Sequence, residues 1–263
     1  GGNIQSTEVK KLKSVTATNY AGGFVGVCGP GDLVSTGGIT LNLLGLDKLL
    51  KIDSLLSVIP GVKVELTDCT VTGVDSGYTV QTDELAQNNQ SDVAGGFVGH
   101  CNSAELSNCH THKLKAVIAA NGGKGTAGGF VGISRTGALA DIANEDGRLQ
   151  VGGELISVEN LLGTINYMVP TYTNCTVTYV DDGYVQGRVA GGFVGEMQSG
   201  KVNNQSRGEG NYYAVYNIDH VNGQTYAGGF GGKVYSGALA DAGGGISILG
   251  GSGLRIELRE LLQ

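Results

Sequence analysis

Five cysteines and four histidines are the side chains of this sequence with the widest chemistry, and their spacing narrows what that chemistry is. His100-Cys101 and Cys109-His110-Thr111-His112 put nitrogen and sulfur donors suited to zinc or copper in one short stretch. On a strand, His110 and His112 project from one face about 6.6 Å apart while Cys109 projects from the other. That divides the donor set. The histidines read as solvated residues in the places held by Thr70 and Thr72 in an equivalent stretch, and no metal or cofactor is assigned.

The cysteines recur in step with a pattern. Cys28 and Cys101 each lie two residues past a glycine motif, and Cys69, Cys109 and Cys175 share a second recurring position. Exported proteins favour disulfides. Thiols side by side on parallel strands, however, direct their Cβ bonds the same way, and an odd count leaves one over. Reduced, buried thiols filling small core positions are the favoured reading.

Carboxylates give little support to catalysis. Glycoside hydrolysis needs two acids at a set distance and a lyase needs a tuned base, so an active site should break the periodicity once. Here the acids recur with the repeat or scatter, and a polysaccharide lyase or hydrolase is kept as the alternative to a non-catalytic chain. Asp75-Ser76-Gly77 and Asp181-Asp182-Gly183 are turn chemistry, with no dense acidic loop for Ca²⁺. Thr70/Thr72 and Thr176/Thr178 are separated by a short coil and make no flat ice-binding array. Tyr212, Tyr213 and Tyr216 are the aromatics that least follow the repeat, and they form the candidate ligand face.

These residues are positioned by internal repeats. Ala21-Gly22-Gly23-Phe24-Val25-Gly26 recurs at Ala94, Ala127 and Ala190, and with one change at Ala227. All five Phe of the chain, Phe24, Phe97, Phe130, Phe193 and Phe230, occupy one place in it. The spacing predicts stacked coils in which each ring lies about 4.8 Å from the next along parallel strands. The glycine pair lets the backbone bend or neighbouring coils approach. Motif starts are 73, 33, 63 and 37 residues apart, so long and short coils alternate.

Thr67 to Tyr78 and Thr173 to Tyr184 match at an offset of 106, the same as from Ala21 to Ala127. Asp68, Asn108, Asn174 and Asn204 head a second strand and should bond along a turn as a polar ladder. A third strand is expected at Leu12 and Leu114, with Tyr213 to Ile218 in that place later. Helices are expected in the long coils, from Asp47 to Pro60, from Ser157 to Pro170 and after Ser252.

Composition limits the classes further. Gly at 47 and Pro at 3, with glycine clustered, exclude collagen, and 40% hydrophobic against 16% charged residues argues against disorder. A net charge of −7 without a basic run argues against nucleic acid. The most apolar stretch, Ile39 to Ile59, is interrupted by Asp47, Lys48, Lys51 and Asp53 and falls short of the roughly 18 apolar residues of a membrane span.

The hexapeptide resembles the GLUG motif of repeat regions in exported bacterial proteins, including adhesins and N-terminal regions of some IgA-cleaving metalloproteases. Gly22 to Gly26, Gly95 to Gly99, Gly128 to Gly132 and Gly191 to Gly195 carry the resemblance, and Gly231 replaces an apolar residue in the fifth copy. It covers the coils and not the inserts. The resemblance implies a surface-exposed stalk or adhesive region of a Gram-positive bacterium, outside the cell, and brings no catalytic residues; the protease signature His-Glu-x-x-His is absent.

The expectation is therefore an all-β chain with added helices: a parallel β-solenoid, or right-handed β-helix, of about five coils with helical inserts on alternate coils. Residues 1–263 form one domain cut from a longer array, with coils at 1–92, 93–125, 126–188, 189–225 and 226–263. Its expected partners are a host protein or glycan and neighbouring repeats of the same chain, with no membrane insertion.

Overall fold

Burial alternates along short runs such as Thr70–Gly73 and Tyr78–Thr82, which is what makes them strands. Val71, Tyr78, Val80 and Thr82 turn inward, and Thr70, Thr72, Thr79 and Gln81 face outward. The computed structural model describes residues 2–29, 63–83, 92–119, 125–136, 169–204 and 213–235. Among these the secondary structure is all β, in three sheets, and all the pairings are parallel.

The first sheet takes Asn3–Gln5, Val64–Thr67, Ala104–Ser107, Thr171–Thr173 and Lys201–Asn203. The second has 11 strands, including Glu8–Leu12, Thr70–Gly73, His110–Ile118, Thr176–Gly191 and His220–Gly228. The third takes Val25–Cys28, Val98–Asn102, Val131–Arg135, Val194–Met197 and Gly231–Val234. The chain visits first, second and third sheet in that order and does so five times. From third sheet back to first it needs only Ser103 after Asn102, and a few residues after Met197. The expected helices lie outside the described residues, Val169 and Pro170 apart.

Two of the junctions between sheets recur in the sequence. Between first and second sheets the bend sits on Ser6, Asp68, Asn108 or Asn174, at φ of 51°, 54°, 52° and 53°. Asn and Asp tolerate this left-handed conformation better than other residues with a Cβ. Their side chains also link the passes: Asn108 Nδ2 donates to Asp68 Oδ1 at 3.1 Å, and Asn174 Nδ2 to Asn108 Oδ1 at 3.3 Å. Asn204 completes the run by donating to the Cys175 carbonyl at 2.8 Å.

The second bend is the Gly-Gly-Phe segment between second and third sheets. Successive passes touch backbone to backbone here: a Cβ on Gly96 would overlap the Gly129 carbonyl oxygen and come within 2.8 Å of Leu114 Cδ2. Phe24, Phe97, Phe130 and Phe193 stack at centroid distances of 4.9 Å, and Phe193 on Phe230 at 5.2 Å, with planes within 9°. The backbones of the same residues bond in step, Phe97 N to Phe130 O at 2.9 Å and Phe130 N to Phe193 O at 2.7 Å. Tyr172 of the first sheet meets Phe130 and Phe193 edge-on at 6.4 and 6.1 Å. Such contacts are worth about 0.5–1.5 kcal/mol each beyond area burial.

Two features differ from the sequence-based expectation. The Asn-headed strand and the third strand run on as one in His110–Ile118 and Thr176–Gly191, so Val215–Tyr216 pairs with Val177–Thr178 and lies where Thr111–His112 does. The first sheet is additional; its inward residues Leu66, Leu106 and Tyr172 close the core opposite the Phe column. Buried Tyr78 and Tyr179 pair with Leu114 across strands, and their hydroxyls donate to the carbonyls of Gly96 and Gly192 at 2.8 and 2.9 Å.

Candidate functional site

The outward face of the second sheet is where repeated side chains meet solvent. Parallel in-register pairing sets like positions beside one another, so Glu8, Thr70, His110 and Thr176 form one file across four passes. Lys10, Thr72 and His112 form the next. His110 Nδ1 lies 2.8 Å from Thr176 Oγ1, and the His110 and His112 rings are 6.0 Å apart. Cys109 is buried on the opposite side, its thiol directed at the Leu66 carbonyl at 3.3 Å. Among the described residues no three His, Cys, Asp or Glu side chains converge as a metal site.

All five cysteines are free and buried. Cys28 and Cys101 are direct cross-strand partners. The thiol of Cys28 is pushed well above its ordinary pKa by its hydrogen bond with Cys101 and by burial. Cys175 is raised as well, first by burial and then by Cys109. Cys69, Cys109 and Cys175 direct their thiols at carbonyls of the preceding pass.

His100 is only 6% exposed and stacks on Tyr20 at 5.4 Å. Its Nε2 has no hydrogen-bond partner among the described residues. Burial, with a smaller contribution from the Arg135 charge, lowers its pKa to about 4, so the ring is neutral at pH 7.

Turn carboxylates form exposed pairs. Lys113 Nζ lies 2.6 Å from Asp75, and this contact holds the Asp75 carboxyl below its usual range. Asp181 accepts from Asn217 at 3.2 Å, and its backbone carbonyl from Lys115 at 3.1 Å. Both arrangements hold bends.

Of the candidate ligand face, Tyr212 lies outside the described residues. Tyr213 and Tyr216 are 50% and 56% exposed with ring centroids 5.4 Å apart. They share the last described pass with exposed Tyr226, Phe230 and Tyr235. Lys233 lies over Tyr235 at 4.2 Å, and the Tyr235 hydroxyl donates to Glu196 at 2.7 Å. Tyr184 and His220, one pass apart, stack at 5.1 Å. Sequence reasoning missed Tyr226, Tyr235 and His220, although Tyr226 stands before its hexapeptide as Tyr20 does before the first.

Comparisons with protein-family models, with curated proteins and with solved structures find no match to this chain.

Proposed function

We propose that this chain is a structural and adhesive segment of a bacterial cell-surface protein. In this reading it is a right-handed parallel β-solenoid of about five coils, with helical inserts on alternate coils. Right-handedness is the rule for parallel crossovers. The rod projects a binding tip, and its exposed tyrosines contact host protein or glycan. What supports the reading above all is the unbroken Phe column, stacked at 4.9–5.2 Å through five passes with main-chain bonds in step. A stack of this kind transmits load along its axis and leaves its outer face to vary. The GLUG-like hexapeptides support an extracellular, Gram-positive setting.

Arrays of host glycans and extracellular host proteins test the adhesive part. Binding should fall when Tyr213 and Tyr216 become Ala, with Tyr212→Ala tested alongside. Release of unsaturated or reducing sugars from acidic polysaccharides, with no array binding, would overturn the reading in favour of an enzyme.

A further inference from the structure

A cleft of about 400 Å³ opens on the second sheet where the last three passes meet, away from Tyr213 and Tyr216 in sequence and register. Its cause is local. Gly187 pairs with Gly223 and Val189 with Tyr226, so one residue, Arg188, stands opposite two, Gln224 and Thr225. The amides of Arg188 and Val189 both donate to the Gly125 carbonyl, at 2.8 and 3.3 Å, which marks a β-bulge. A bulge re-aims side chains and bends the strand that carries it.

The lining has a definite chemistry. Ile118, Gln186 and Asn222 are consecutive cross-strand partners on one face, so Ile118 supplies an apolar surface beside the Gln186 and Asn222 amides, with Gln224 adding a third amide. Each amide offers both donor and acceptor, the combination that ring hydroxyls need. Arg188 is the only charged residue among those lining the cleft, on a chain whose net charge is −7. Its guanidinium carries five N–H donors, enough to keep an internal partner and still bind a carboxylate.

We infer that this cleft is a subsite for a carboxylated pyranose within an acidic oligosaccharide, held by the Gln186 and Asn222 amides with its carboxylate toward Arg188. The inference rests on the adhesive reading and names a ligand class for it.

The test uses the whole chain and an immobilised panel of oligogalacturonate, hyaluronan oligosaccharides and sialyllactose, each beside its carboxyl-reduced form. At least one acidic member should be retained, and reduction of its carboxyl should weaken binding about tenfold or more. Arg188→Gln should weaken the acidic member as much and leave the reduced form unchanged. The double variant Gln186→Ala/Asn222→Ala, at two exposed positions, should weaken both forms, with far-UV circular dichroism unchanged. Equal binding of acidic and reduced forms overturns the inference, as does retention that ignores all three substitutions or no retention at millimolar ligand. Binding that is lost only in Tyr213→Ala/Tyr216→Ala overturns it too while leaving the adhesive reading intact.

Discussion

Replacing Phe130 with Ala removes the middle ring of the column, and the structure sets the size of the effect. Phe130 is fully buried, stacked at 4.9 Å on both Phe97 and Phe193 and met edge-on by Tyr172 at 6.4 Å. A buried Phe→Ala change costs about 3–5 kcal/mol, and three aromatic partners place Phe130 at the upper end of that range. Phe230 offers the internal control, being 40% exposed with, among the described residues, a single stacking partner, Phe193, at 5.2 Å. Its replacement should cost less, about 2 kcal/mol, since 40% of the residue is already exposed and, among the described residues, it has one ring contact where Phe130 has three. Urea unfolding followed by circular dichroism and by tyrosine fluorescence reads both, with the slope checked so that only stability is compared. Equal losses for the two variants would refute the idea that the rings act as one column.

Other perturbations separate backbone, turn, proton and thiol effects. Gly96→Ala should prevent folding or cost more than about 3 kcal/mol, because Cβ meets the Gly129 carbonyl, whereas Gly229→Ala, with no atom of the described residues within 4 Å, should cost far less by melting temperature. Asn108→Ala should cost about 1–2 kcal/mol in urea unfolding by losing both ladder bonds at a residue with φ of 52°, and Asn108→Gly should recover part of it. The His100 pKa is about 4 when folded against an ordinary 6.5, so the unfolded chain binds the extra proton between those values. Stability is therefore complete above pH 6.5 and declines by at most about 3 kcal/mol as pH falls toward 4; His100→Leu should flatten the profile in this window. Thiol titration of the native protein with an aromatic disulfide reagent should be negligible, rising to five equivalents in guanidinium.

The parts of the fold legible in the sequence are those where one residue type has no substitute. Phe at one place in five hexapeptides, and Asp68, Asn108 and Asn174 at the left-handed bend that Ser6 occupies in the first pass, record positions that successive passes fill with one residue type or its near equivalent. The first sheet was hidden because its inward residues change from Leu66 and Leu106 to Tyr172, which share burial but no motif. The 106-residue offset sets Tyr78 against Tyr184, whereas in the structure Tyr78 and Tyr179 share one place beside Leu114, and their bonds to the Gly96 and Gly192 carbonyls depend on how the bend folds back. Tyr213 was singled out by sequence, but the cleft around Arg188 arises from a register shift between Gly187 and Val189 that no local pattern announces.

Everything rests on successive passes lying flat and in register. Thr16, Gln81, Ile118, Gln186 and Asn222 are consecutive partners across five passes, so Thr16 and Asn222 are separated by four strand spacings, about 19 Å, despite their distance along the chain. Both are exposed, and the native thiols are buried, so Thr16→Cys/Asn222→Cys takes two spin labels selectively. Pulsed electron–electron resonance should give one narrow distance distribution centred near that value. A broad distribution, or a maximum at a much longer separation, would contradict the account.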